Sequence, residues 1–344
     1  MQEFVLTAPR TLTFRDYEDP PLKPDQVRVK AVLSGIKHGT EIALYRGNTP
    51  FVGKRFDTDL RIFLPSEDTP LYPANLAAWD VAEITEVGAA VTGFAVGERV
   101  HCRMPHRPTN VVNAALLHKL GDLAPERATF TDPATVALLA VHDAEIKVGD
   151  NIAIYGLGAI GLLAVQLARM SGARRVIAVD PVEARRQMAL DMGADLTLDP
   201  TQCDAALEIK LATERKGTDA TLEISGSYVA LQDAIRSLRP CGTLVPCSFY
   251  SGKGTLELGS EWHHNRITVK SSSVGWGMPH RDSPLWDSRR LEETCIDLLT
   301  RGLLQVDAMQ GRSYRYADAA NAYAFIDQHP DAGVKTFLTY DEVQ

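Results

Sequence analysis

Six residues, Gly156-Leu157-Gly158-Ala159-Ile160-Gly161, stand between the apolar run Asn151–Tyr155 and a second apolar run, Leu162–Arg169. In a strand–turn–helix setting this spacing suits a dinucleotide. The first glycine permits a tight turn, the second lets the backbone approach a diphosphate, and the third allows helix and strand to pack closely. The diphosphate would lie at the helix N-terminus, where free N–H groups and the helix dipole favour negative charge. The next apolar run ends at Asp180, nineteen residues beyond Gly161. A carboxylate there can accept both ribose hydroxyls of an adenosine and would repel a 2′-phosphate, which favours NAD over NADP. Arg185 and Arg186 are placed to hold a 2′-phosphate instead, and Asp180 could simply cap the helix that follows Pro181. Pro181, Arg185 and Ser225 are counted with the glycine loop as cofactor-binding residues.

These residues need a scaffold, and the pattern around them supplies one. From Asp150 onward strands and helices alternate: strands at 151–155, 175–180, 196–198, 220–224, 242–245 and 267–271, helices at 160–170, 183–192, 204–213 and 229–238. Parallel crossovers of this length imply a doubly wound sheet, and six strands match a Rossmann dinucleotide-binding unit. The first third is β-rich. Gln26 to Ile36 alternates polar and apolar residues, and short strands follow at 80–87 and 99–102. Residues 46–73, rich in Pro, Asp and Arg, read as a surface excursion. After Gly275 come helices at 291–301 and 317–327 and a closing strand at 335–339. The expected class is α/β, with one domain discontinuous in sequence (1–125 and 276–344) and the Rossmann domain inserted at 126–275.

Composition narrows the function classes. A chain of 344 residues with formal net charge −8 lacks the basic excess of a general nucleic-acid binder. Five cysteines at 102, 203, 241, 247 and 295 contain no Cys-x-x-Cys pair and suit a reducing compartment. The N-terminal stretch has no basic and apolar regions of a secretory signal. The stretch from Asn151 to Ala168 approaches membrane-span length, but its glycine fingerprint points to a buried α/β unit. A cytoplasmic protein acting on a small molecule, with neither nucleic acid nor membrane as partner, is expected.

With Gly35-Ile36, a β-rich first part, Val148-Gly149-Asp150 and the Ala178-Val179-Asp180 ending, the whole chain resembles the medium-chain dehydrogenase/reductase superfamily. The resemblance implies a GroES-like catalytic domain around an inserted Rossmann domain, and a homodimer formed through the outer edge of the Rossmann sheet. Ser34-Gly-Ile-Lys-His-Gly-Thr-Glu41 is similar to the bacteriochlorophyllide dehydrogenase-like branch. By the same resemblance the backbone around Val245–Ser248 and Ser272-Ser273 holds the carboxamide end of the cofactor, bringing in Ser248 and Ser273. Zinc members of the superfamily hold a catalytic metal with a Cys after the Gly-Ile pair, a His-Glu dipeptide and a further Cys or acidic ligand. Here those positions read Lys37, Ala78-Trp79 and Asp132, and no catalytic zinc is expected.

Lys37 is therefore the candidate to replace the metal, since a carbonyl accepting hydride needs a cation or proton donor at its oxygen. His38, Glu41, Asp80 and His142 are candidates for proton relay or hydroxyl recognition. His263-His264 reads as a surface turn, and His280, Arg281, Trp276 and Trp286 could line the substrate cleft or pack in the core. The leading expectation is an NAD-dependent, zinc-independent dehydrogenase of a secondary alcohol such as a sugar, polyol or cyclitol. A zinc-free enoyl or quinone reductase using NAD(P)H and a non-catalytic NAD-binding sensor are the alternatives.

Overall fold

The computed structural model describes residues 1–66, 70–273 and 285–340. It divides into two compact units, Met1–Asp132 with Met309–Gln344, and Pro133–Ala308.

The second unit carries the expected parallel sheet. Its strands are Asn151–Tyr155, Arg175–Val179, Leu196–Leu198, Thr218–Glu223, Leu238–Pro246 and Thr268–Val269. In spatial order the third, second, first, fourth, fifth and sixth strands lie side by side, and every pairing is parallel. The order reverses beside Asn151–Tyr155, and such a switch point is where α/β sheets bind their ligands. The centre of the sheet is buried on both faces, so these strands read as unbroken apolar runs rather than alternating ones. Ile152, Ala153, Ile154, Val176, Ile177 and Ala178 are all fully buried. The near-membrane-length run resolves into that first strand and the helix Ala159–Met170. Among the described residues no helix is long and apolar enough to cross a membrane.

The first unit is built on strand Gln26–Ile36. It pairs antiparallel with Ala77–Val87 along one edge, and with Lys335–Thr339 and Thr109–Asn113 at its two ends on the other. Arg99–Pro105 and His118–Lys119 extend the sheet beyond Ala77–Val87, and Gln310–Arg315 extends it beyond Lys335–Thr339. Two of the neighbours of Gln26–Ile36 thus come from the first third of the chain and one from its end. The excursion at 46–73 contains a small exposed hairpin, Lys54–Asp57 with Ile62–Pro65.

The division of the chain differs from the sequence reading at both boundaries: residues 126–132 stay with the first unit, and the larger shift is at the second boundary. Residues 285–308 belong with the Rossmann unit, and the return to the first unit falls at Met309 rather than near residue 276. The cause lies in the packing. Helix Ser288–Thr300 buries Leu291, Cys295 and Leu299, and the segment after it is clasped by Gln166. The Gln166 side chain accepts from Gln305 N at 2.7 Å and donates to Gln305 O at 3.0 Å, replacing both partners that an added β-strand would supply. Trp276, His280 and Arg281 lie outside the described residues.

That clasp is testable. Gln166→Leu leaves the Gln305 N–H and carbonyl without partners and should cost roughly 1–3 kcal/mol. The reading is checked by the denaturant midpoint, and a variant as stable as wild type would remove the clasp as the reason for the boundary.

Candidate active site

Successive residues of a strand face opposite sides of the sheet. Ser34 and Gly35, at the end of strand Gln26–Ile36, therefore open onto two different polar layers. Both layers lie within the first unit.

On the Ser34 side a buried chain of hydrogen bonds converges on Glu41. Ser34 Oγ lies 2.9 Å from the Tyr340 hydroxyl and 2.7 Å from His106 Nδ1. His106 Nε2 lies 3.1 Å from Glu41 Oε1. Tyr323 donates its hydroxyl to Glu41 Oε2 at 2.8 Å, and the backbone N–H of Lys37 donates to the same oxygen at 3.2 Å. A buried carboxylate without partners would be costly, and these donors offset that cost. Burial is the largest influence on Glu41 and pushes its carboxyl up. His106, Lys37 and Tyr323 together outweigh it and hold the group below the ordinary value. Glu41 thus fastens the turn from which the Lys37 side chain departs.

Asp80 pairs with Ser34 across the sheet and belongs to this same layer. It is fully buried, and neither carboxylate oxygen has a hydrogen-bond partner among the described residues. His106 Nδ1, at 3.7 Å, is too far to donate. Burial, joined by the charge of Glu41, raises the Asp80 carboxyl well above its usual range.

On the Gly35 side two lysines approach the strand. Lys37 Nζ donates to Asp132 Oδ1 at 2.8 Å, and both side chains remain partly exposed at 17% and 25%. Lys335 is 3% exposed and donates to the Gly35 carbonyl at 3.3 Å. Glycine is required at position 35, because a Cβ there would sit 2.5 Å from Lys335 Cε and 2.8 Å from Thr129 Cβ. Burial lowers the Lys335 ammonium to about 8.

The sequence candidates are thus distributed. Lys37, Glu41 and Asp80 gather around the end of one strand, with Glu41 and Asp80 in the layer opposite the Lys37 ammonium. His38 turns towards Thr336, with Nε2 3.0 Å from its hydroxyl, beside a shallow recess that Arg312, Phe325 and His329 also line. His142 belongs to the second unit, where its ring meets Trp286 edge-on at 4.5 Å. His263-His264 form one short helical turn, with no side chain buried. His106, Tyr323 and Lys335 were missed. Lys335 left a faint signal as the one charged residue in the otherwise uncharged strand KTFLT. The two others come together only through pairings distant in sequence.

In the second unit the fingerprint adopts the expected form. Gly158 precedes helix Ala159–Met170, and no side chain caps its first turn. A Cβ on Gly161 would lie 1.9 Å from the Gly156 carbonyl oxygen, so helix and strand could not approach as they do. Leu157 donates its backbone N–H to Asp180 Oδ2 at 2.7 Å, and Val182 donates to Oδ1 at 2.8 Å. Asp180 therefore shapes the glycine loop and also steadies the start of the next helix. Arg185 lies 4.0 Å from Asp180, while Arg186 donates to the carbonyls of Asp180 and Pro181 and pairs with Asp199 at 3.2 Å. Ser225 hydrogen-bonds Glu223 through both its N–H and its hydroxyl, Ser248 donates to the Ile224 carbonyl at 2.5 Å, and Ser273 is exposed.

Residues 159–286 match the family model described as zinc-binding dehydrogenase. D-guloside 3-dehydrogenase of Escherichia coli is 35% identical over 99% of this chain and 100% of its own length. (R,R)-butanediol dehydrogenase of Bacillus subtilis is 29% identical over 77% of this chain and 80% of its own. Among solved structures, galactitol-1-phosphate dehydrogenase from Escherichia coli superposes with a TM-score of 0.80 at 22% identity, covering 98% of this chain and 100% of that one. The residues present do not fit the zinc that the model's description suggests. Lys37 offers an ammonium, Ala78 and Trp79 offer no ligand atom, and Asp132 is bonded to Lys37. Among the described residues no group of three or more His, Cys, Asp or Glu side chains could hold a metal ion.

Asp80 yields a pH-dependent expectation. Its folded-state pKa lies above the unfolded value, so the stability it permits is complete below the ordinary value of 3.8 and is lost as pH rises through the folded value. Asp80→Asn keeps the shape and removes the charge. It should melt higher than wild type at pH 7, with the gap closing as pH falls towards 4. A lower melting temperature at pH 7 would mean that the charged carboxylate is tolerated.

Proposed function

This chain belongs to the medium-chain, zinc-binding dehydrogenase family, and from that premise we propose that it oxidises a secondary hydroxyl of a sugar or polyol with NAD and without a catalytic metal. It is an alcohol or polyol oxidoreductase in the coarse sense that its relatives share. The full-length relative named for oxidation at position 3 of a guloside supports a ring hydroxyl as the finer target.

One observation carries the mechanism: an ammonium, Lys37, stands after the Gly-Ile pair and is fixed by two anchors. Asp132 holds Nζ at 2.8 Å, and Glu41 holds the backbone N–H at 3.2 Å. Oxidation of a carbinol requires loss of the O–H proton and of a hydride from carbon. A cation at the oxygen stabilises the developing alkoxide in one direction and the polarised carbonyl in the other. Lys37 supplies that charge without the d-block ligand set that this sequence lacks. The nicotinamide cofactor, when bound, accepts the hydride. Gly156 to Gly161 would hold its diphosphate at the start of helix Ala159–Met170, and Asp180 its adenosine ribose. Asp180 supports NAD because a 2′-phosphate would meet its nearly buried carboxylate.

The test uses chelator-treated, metal-free protein and a panel of alkyl glycosides, aldoses, polyols and cyclitols, with NAD and NADP compared. Turnover should persist without metal, with kcat/KM for NAD at least about tenfold above NADP, as one unrelieved repulsion of about 1.4 kcal/mol produces. Lys37→Met should lower kcat by about 10²-fold or more while leaving NADH affinity unchanged. Activity that vanishes on chelation and returns with zinc would sink the metal-free mechanism.

A further inference from the structure

We propose that Lys335 is the group that takes up the proton released from the substrate hydroxyl, beside Lys37 as the fixed cation. This deepens the dehydrogenase reading and rests on it.

Geometry makes the case first. Lys335 begins strand Lys335–Thr339 and is 3% exposed, although lysine is among the residues least often buried without an ion partner. Its ammonium has one hydrogen bond, to the Gly35 carbonyl, and sits above the Phe130 ring at 5.8 Å from the centroid. The strand opposite yields its side chain to admit it, since any Cβ at position 35 would collide with Lys335. Asp132, the carboxylate acting most strongly on Lys335, is bonded to Lys37. These two contacts are few for an ammonium taken out of water. A neutral apolar side chain of the same length would fill the space at less cost.

The surroundings then decide which lysine changes charge. Four charged groups act on Lys335: Asp132, Lys37, Glu41 and Asp80. Asp132 and Glu41 favour the ammonium, as does any ionised fraction of Asp80, while Lys37 opposes it. Burial outweighs all of them and lowers the group to about 8, so roughly a tenth of it is uncharged at pH 7 and about half at pH 8. Lys37 instead has a carboxylate at 2.8 Å.

The step balances. The carbinol C–H bond breaks with its electron pair passing to the oxidised nicotinamide, and the O–H bond breaks with its proton passing to the Lys335 amine. The products are a ketone, the reduced nicotinamide and the Lys335 ammonium, which returns its proton to solvent before the next turnover. Lys37 keeps its proton throughout and faces the oxygen as charge moves onto and off it.

The experiment compares wild type, Lys335→Met and Lys335→Arg, using the most active substrate of the panel above. Wild-type kcat/KM for oxidation should rise with pH and level off above about 8, because the uncharged amine is the reactive form. Lys335→Met should lower kcat by about 10²-fold and abolish that rise, leaving NADH affinity within about threefold by fluorescence titration. Lys335→Arg, which keeps the charge but cannot lose a proton, should be as impaired. A structural role would not produce the companion result in stability. Lys335 holds fewer protons folded than unfolded between about 8 and the ordinary value of 10.5, so wild-type stability rises across that window. Lys335→Met should therefore melt higher than wild type at pH 7, with the gap closing towards pH 10.5.

Near-normal turnover with the pH rise intact in Lys335→Met overturns the proposal. So does an active Lys335→Arg, which would reduce the residue to a charge, or a loss of NADH affinity as the main defect. A lower melting temperature for Lys335→Met would make the lysine structural. Wild-type protein that binds NADH yet turns over nothing on the panel would sink the dehydrogenase reading itself, a different result from an active enzyme indifferent to Lys335.

Discussion

Charge taken out of water must be matched by donors or acceptors placed beforehand, and the first unit is arranged around that constraint at residues 34–41. Glu41 is 2% exposed and stays ionised because His106, Tyr323 and the Lys37 backbone all reach it. Each of those partners is held by something else: His106 by Ser34, and Tyr323 by the apolar cluster of Phe4, Ile42 and Tyr45. The Lys37 turn runs between Ile36 and Ile42 of that same cluster, and Glu41 and Asp132 fix it further through the Lys37 backbone N–H and the Lys37 ammonium. The position of the Lys37 side chain thus depends in part on a charge on the far side of the sheet.

The two units solve the problem of placing polar groups differently. The Rossmann unit uses backbone: a glycine loop and a helix end that offers N–H groups without any charged side chain. Its one acidic residue at the loop, Asp180, spends both oxygens on backbone N–H groups of the same unit. The first unit uses side chains: Lys37, Lys335, Glu41, Asp80 and Asp132 act on one another around the end of strand Gln26–Ile36. On the proposed reading the Lys37 ammonium takes the part of a metal, and it needs no ligand set, only an anion to orient it.

What was legible in the sequence follows from how local the signal is. Most Rossmann strands and helices could be read to within one or two residues, because buried parallel strands are continuous apolar runs and the glycine loop has fixed spacing; the fifth strand starts four residues earlier than read, at Leu238, and the sixth is only Thr268–Val269. Lys37 could be singled out because it departs from a short pattern around Gly35-Ile36. Glu41 was picked out for proton relay, and its place as a holder of the Lys37 turn is visible only once Tyr323 arrives from 282 residues away. His106 and Tyr323 have no local signature and Lys335 only a faint one, since pairing of Lys335–Thr339 with Gln26–Ile36 brings together residues 300 apart. The boundary near 308 was equally hidden, because a glutamine side chain carries the tie. Sequence periodicity reports which face of an element is buried, and it is silent about which distant element buries it.

The long reach of those contacts has a consequence for synthesis. A ribosome delivers strand Gln26–Ile36 and the Glu41 helix early, and Tyr323, Lys335 and Tyr340 almost last. Residues 133–308 form a unit whose strands are all present once that stretch has emerged, so it can close while the chain is still growing. The first unit cannot. Until Tyr323 and Lys335 have emerged, the Gly35 carbonyl has no lysine beneath it and Glu41 has no tyrosine. The nascent protein thus completes the unit that carries the glycine loop before the unit that carries Lys37, and strand Lys335–Thr339 is needed to finish the second of them.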